Sequence, residues 1–143
     1  MIYFDSSYLI KCYLPEPGHA QVRQLARSNP DVACCSLGRT ECRAAVHRHL
    51  REGKLSGSDA QLVHAVMDQD ELAQLWIWYP ITERLLSEAN EQFRKLPSSV
   101  FLRTADALHL ACAKSQGLTE IYSNDQHLLA AASHFGLAGK NVI

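Results

Sequence analysis

The 143-residue sequence contains no C-x-x-C pair, a net charge of only −1, and few chain-bending residues, 7 Gly and 5 Pro. No apolar run approaches the ~18 residues that a membrane span requires. Each absence excludes a class. Without C-x-x-C spacing, the five cysteines (Cys12, Cys34, Cys35, Cys42 and Cys112) form no zinc or thioredoxin-type motif. Odd in number and including a vicinal pair, they read as small buried apolar residues. That usage, with Asp5 reached after four residues and so no signal-peptide apolar region, predicts a reducing cytoplasm. Scarce Gly and Pro exclude collagenous and low-complexity chains. A near-neutral balance means that no overall basic field advertises nucleic acid. What remains, 47% hydrophobic and 20% charged, is an ordinary globular composition, and the length predicts one domain over residues 1–143.

Hydrophobic periodicity and punctuation predict an alternation of elements. Met1–Phe4 reads as a strand and Ser6–Leu14 as a helix capped by Asp5 or Ser6 and broken by Pro15-Glu-Pro-Gly18. A helix fits His19–Ser28, a buried strand Val32–Cys35, and a long helix the segment from Ser36 to about Glu52, with another starting at Ser56–Asp59. Leu75–Tyr79 alternates as a strand does, Thr82–Lys95 and Arg103–Gln116 read as helices, Glu120–Ser123 as a strand and Gln126–Phe135 as a helix. Asn141–Ile143 is expected as a last edge strand. Strands separated by helical segments of crossover length predict an α/β fold. Its central sheet is mostly parallel, of four to five strands, with helices on both faces.

Four carboxylates fall at special places. Asp5 and Asp125 follow strands directly, and the C-terminal ends of parallel strands share the edge where open α/β sheets place their sites. Glu41 lies in the first turns of the helix leaving the second strand, and Asp106 opens an almost uniformly apolar helix. Each also has an ordinary structural explanation. Asp5 and Asp125 suit N-caps, Asp106 the helix dipole, and Glu41 a helix ion pair with Arg48. As a set they imply more. Carboxylates converging within ~5 Å repel by about 3 kcal/mol per pair at an effective dielectric near 20, so such a cluster calls for a cation or raised pKa values. An all-oxygen site suits Mg²⁺, with Mn²⁺ able to substitute, and the matching chemistry is phosphodiester hydrolysis by a metal-activated water.

Four stretches carry a family likeness: Ile2-Tyr-Phe-Asp-Ser-Ser-Tyr-Leu-Ile-Lys11, Arg39-Thr-Glu41, Leu102-Arg-Thr-Ala-Asp-Ala-Leu-His-Leu-Ala111, and Tyr122-Ser-Asn-Asp125. With these the sequence resembles the PIN-domain ribonucleases, most closely the VapC-type toxins of toxin–antitoxin pairs. The resemblance implies a PIN-like fold in which Asp5, Glu41, Asp106 and Asp125 hold a divalent ion and cleave RNA. It also implies hydroxyls beside the acids at Ser7, Thr104 and Ser123, with a helix N-cap the better reading of Thr104. It further implies a homodimer and a cognate antitoxin packed across the toxin, while the lack of a long apolar run predicts no membrane.

Arg39, Arg43, His47 and Arg51 recur every four residues as a basic ridge, which with Lys11 would guide an RNA backbone or form a solvated face. His109 would orient Asp106 or pack. Trp76 and Trp78, on one side of their strand, would stack bases or fill a core or dimer contact. Tyr8, Tyr13 and Leu14 with Leu62, Val66 and Met67 would line an antitoxin groove or belong to the core. The competing function is a catalytically inactive PIN-like module that docks a basic partner through its acidic edge.

Overall fold

In the computed structural model, which describes residues 1–143, strands and helices alternate as β1 (Ile2–Tyr3), α1 (Ser6–Tyr13), α2 (His19–Arg27), β2 (Val32–Cys35), α3 (Leu37–Arg51), α4 (Gly57–Leu72) and β3 (Ile77–Tyr79). They continue through α5 (Glu83–Lys95), α6 (Thr104–Ser115), β4 (Glu120–Tyr122), α7 (Gln126–Ala131), a 3₁₀ turn (Ala132–Phe135) and β5 (Ala138–Lys140). All strand pairings are parallel. β1-β2-β3 form one ladder and β4-β5 a second. A single parallel bridge between Phe4 and Tyr122 joins them, reinforced by the Asp5 N–H donating to the Tyr122 carbonyl at 3.1 Å. The resulting order, β3-β2-β1-β4-β5, runs outward from β1 in both directions. Connections therefore reverse between β1 and β4, which makes a topological switch point with a crevice at the strands' C-terminal ends.

Period-two alternation in β2 builds a core on each face. Ala33 and Cys35 join Tyr3 and the apolar face of α6, together with Ile121, Leu128 and Phe135. Val32 and Cys34 join Phe4, Tyr8, Leu9, Val22, Val46 and Trp76 beneath α1–α4. Because both faces are covered, all four β2 residues are buried, which explains their unbroken apolar run. Trp76 and Trp78 pack in this second cluster, and all five cysteines are unpaired as thiols, four of them buried.

Two sequence expectations change. Residues Asn141–Ile143 are not an edge strand; β5 is Ala138–Lys140 instead. The last three residues fold back on the first helix, where the Tyr8 hydroxyl donates to Asn141 Oδ1 at 2.7 Å and accepts from the Val142 N–H at 2.8 Å. Ile143 seats against Gly18, whose φ of +82° a side chain would strain. Ser36 does occupy the N-cap of α3 but makes no side-chain capping bond, whereas Ser56 and Thr82 do cap α4 and α5.

Close packing of α3 on the sheet depends on Gly38. A Cβ there would lie 2.5 Å from Cys34 Sγ, which is fixed inside the strand. Gly38→Ala is expected to lower stability by about 1–3 kcal/mol, read as an earlier urea midpoint at unchanged slope. An unchanged midpoint would show that this helix–strand contact has slack. No helix is long and apolar enough to cross a membrane.

Candidate active site

The four carboxylates come from four separate segments and line one cavity of about 490 Å³. Asp5 follows β1, Glu41 lies on α3, Asp106 on the first turn of α6, and Asp125 follows β4. Ser7, Lys11, Glu16, Arg48, Arg103 and Asn124 share the lining.

The ordinary structural roles and the shared cavity coexist. Asp5 caps α1, its Oδ1 accepting from the Tyr8 N–H at 3.0 Å and from Ser7 Oγ at 2.7 Å, while Ser123 Oγ donates to Oδ2 at 2.6 Å. It is 4% exposed and no cationic side chain bonds it. Burial pushes its pKa up, an effect partly offset by the charge of His109 and by these hydrogen bonds. Asp125 caps α7 through Oδ1, which accepts from the His127 and Leu128 N–H groups at 2.8 and 3.1 Å. Its other oxygen accepts from Arg103 Nη2, and Arg103 Nε also donates to Asp106 Oδ2 at 3.0 Å. One guanidinium thus spans the third and fourth acids.

Glu41 does not pair with Arg48, which instead lies 3.9 Å from Glu16. It accepts from His109 Nε2 at 2.7 Å. His109 is buried, and its Nδ1 lies 3.0 Å from the Tyr3 hydroxyl, itself held by the Cys35 N–H at 2.9 Å. This chain fixes the ring, so the histidine orients Glu41 rather than Asp106. Burial alone would push the His109 pKa down, but the hydrogen bond and charge of Glu41 outweigh it and the net shift is upward. For Glu41, burial pulls upward and His109 wins in the other direction, leaving the carboxyl below its usual range.

Other sequence-selected residues separate. Ser7 and Ser123 both touch Asp5, 3.4 Å from each other. Thr104 is exposed at the first position of α6, outside the cavity, and neither caps the helix nor touches an acid, because Arg103 takes the N-cap position. Lys11 reaches the cavity but is buried and bound to Glu16 at 3.0 Å. The basic ridge faces elsewhere: Arg43 pairs with Asp68 at 2.6 Å and Glu71 at 3.3 Å, Arg39 stacks over Trp78 at 4.9 Å, and Arg51 is exposed at the end of α3. The face of α3 lining the cavity is Glu41, Ala44, Ala45 and Arg48, so Arg48 is the cation that this helix presents there.

Sequence reasoning did not assign Arg103, and it gave His109 to the wrong acid, Asp106 in place of Glu41. Their spacing three residues either side of Asp106 was the available signal, since i, i+3 positions neighbour each other on a helix.

The donor set is all oxygen and carries one buried carboxylate without a cationic partner, chemistry that fits a hard divalent ion. As the side chains stand, no three acidic, histidine or cysteine groups converge on one point, because Arg103 draws Asp106 and Asp125 to itself while His109 holds Glu41.

Comparison with known families supplies the decisive observation: the PIN domain model matches residues 2–133. The chain belongs to the PIN domain family. The fold of this PIN domain is shared with solved structures of low identity. FitAcB from Neisseria gonorrhoeae superposes with a TM-score of 0.77 at 20% identity, covering 99% of this chain and 97% of that one. VapC20 of Mycobacterium tuberculosis, described as a Sarcin-Ricin loop cleaving toxin, gives 0.72 at 19%, covering 92% and 95%. VapBC2 from Rickettsia felis, bound to a DNA fragment from its promoter, gives 0.68 at 14% and covers 100% of both chains. No curated protein matches the sequence.

Proposed function

We propose that this PIN domain, residues 1–143, is a Mg²⁺-dependent endoribonuclease and the toxin of a cytoplasmic toxin–antitoxin pair. The observation that carries the reading is the convergence of Asp5, Glu41, Asp106 and Asp125, from four segments, on one cavity at the sheet's switch point. Family membership and the likeness in fold to a Sarcin-Ricin loop cleaving toxin and to a toxin–antitoxin complex from Klebsiella pneumoniae support it.

Asp5, Glu41, Asp106 and Asp125 would hold the ion, with Mn²⁺ as a substitute. When bound, the ion supplies an activated water and counter-charge for a phosphate. The chain's own residues prepare the site. Ser7, Ser123 and the Tyr8 N–H fix both oxygens of Asp5. His109 keeps Glu41 oriented and ionised, the state required of a ligand or a base. Arg48 on the cavity wall places positive charge where an RNA backbone would run. A groove of about 390 Å³ lined by Tyr13, Val66, Leu75 and Trp76, with Arg23 and Arg27 at its rim, offers an antitoxin segment an apolar seat. Of the other residues expected in that seat, Leu62 is exposed while Tyr8, Leu14 and Met67 belong to the core. A homodimer is expected by family likeness.

The test is cleavage of total cellular RNA with mapped ends. Fragments should appear with Mg²⁺ or Mn²⁺ and vanish in excess EDTA. Cleavage that persists in EDTA would overturn the metal-nuclease reading. A chain that neither bound a divalent ion nor cut RNA would instead be the inactive docking module.

A further inference from the structure

Arg103 is the N-cap residue of α6 and its side chain is 57% exposed, so packing does not hold it in place. Two acids do. Its Nε and Nη2 groups bond Asp106 and Asp125, which come from different elements, and the hydrogen bond to Asp106 with the charge of both acids pushes the arginine pKa further up. A planar guanidinium suits this bridging because its forked donors address two carboxylates at once. The arrangement leaves two of the cavity's four acids sharing one positive charge supplied by the chain itself, a group with a net charge of −1.

A divalent cation drawing on either Oδ2 atom would need an oxygen that the guanidinium already holds and would repel it at that distance, so the two cations compete. From this, and on the metal-nuclease reading above, we infer that Arg103 is a built-in counter-ion for Asp106 and Asp125. An entering divalent ion displaces it, and the freed guanidinium then binds a phosphate of the RNA. The second half follows from position and chemistry. Released from the aspartates, Arg103 remains tethered at the cavity rim, exposed, with a fork that matches phosphate oxygens as well as carboxylates. Lys11 cannot fill that role because Glu16 already engages it. Arg103 therefore sets a threshold for metal occupancy and converts occupancy into a grip on substrate.

The experiment titrates Mn²⁺ alone by calorimetry into wild type, Arg103→Gln and Arg103→Lys. It then measures binding of a hydrolysis-resistant phosphorothioate single-stranded RNA in saturating Mn²⁺. Arg103→Gln should bind Mn²⁺ about tenfold more tightly than wild type, the factor expected for removing one charge-assisted competitor. In saturating Mn²⁺ the same variant should bind the RNA about tenfold more weakly. Arg103→Lys keeps the charge but cannot span both carboxylates, and should fall between on both measures. Unchanged or weaker Mn²⁺ binding by Arg103→Gln overturns the counter-ion role, and unchanged RNA affinity overturns the phosphate role. If neither wild type nor the variants, folded by circular dichroism, bind Mn²⁺, the metal-nuclease reading itself falls and this inference with it.

Discussion

Replacing Asp5 by Asn is expected to cut RNA cleavage by roughly 10³-fold or more while making the metal-free protein more stable at pH 7.5. Both effects have one cause. Asp5 is buried at the end of β1, accepts three hydrogen bonds and has no bonded cation, so its negative charge is costly in the absence of an ion. Burial raises its pKa accordingly. For an acid whose folded pKa lies above the unfolded one, the native state holds its proton longer. Stability then falls as pH climbs from the unfolded value through the folded one. Asparagine keeps the shape and the acceptor oxygen for Ser7 and Tyr8, and its amide can donate to Ser123 Oγ, so the network survives without the charge. A gain of about 1 kcal/mol in urea unfolding at pH 7.5 is the expected size, typical where a functional residue is kept at the expense of stability. Wild-type cleavage by Asp5→Asn would remove Asp5 from the site, and a loss of stability would show that its charge is compensated in the fold.

The second large effect is at His109. His109→Ala is expected to cost about 3–5 kcal/mol, because it opens a cavity in the sheet–α6 core and leaves Glu41 without its partner. His109→Gln should cost less, since its amide can still donate to Glu41, but it should erase a pH signature. The His109 pKa is raised, so its contribution is complete below the unfolded value near 6.5 and is lost as pH rises through the folded value. The Glu41 pKa is lowered, so its contribution is present above its unfolded value near 4.5 and is lost only as pH falls through the folded one. The pair is therefore most stabilising between about pH 4.5 and 6.5. Wild type should unfold at higher urea at pH 5.5 than at pH 8.5, and His109→Gln should show a clearly smaller difference. An equal difference in both proteins would place the titrating groups elsewhere. Cleavage should also fall by about 10- to 100-fold in His109→Ala, the usual consequence of losing a residue that orients a ligand.

These residues mark how far local pattern reaches. Asp5 and Asp125 were recognisable from sequence because each ends a strand, and a parallel sheet gathers those ends on one edge. Asp106 stood out because the helix that it opens is otherwise apolar, and α6 is indeed buried along most of its length. The two-faced sheet followed from the alternation of short apolar runs with crossover-length helices. The partners of the acids were not legible. Glu41 meets His109 across 68 residues of chain, and Arg103 meets Asp125 across 22. Sequence spacing favoured Arg48 for Glu41, yet on the folded helix Arg48 leans to Glu16. The basic ridge of α3 was visible as a period, but only the seating of α4 beside it showed that Asp68 and Glu71 neutralise Arg43.

The sequence by itself determined most of the strands and helices, though not the last strand, and which acids sit at their ends, because periodicity, capping and strand termination are decided within a few residues. Only the tertiary structure decided which cation or histidine each acid meets, and how the C-terminal residues fold back onto Tyr8 and Gly18. Those choices depend on how whole elements pack. A rotation of one helix by a single residue position, about 100°, exchanges the side chains that it presents to a neighbour.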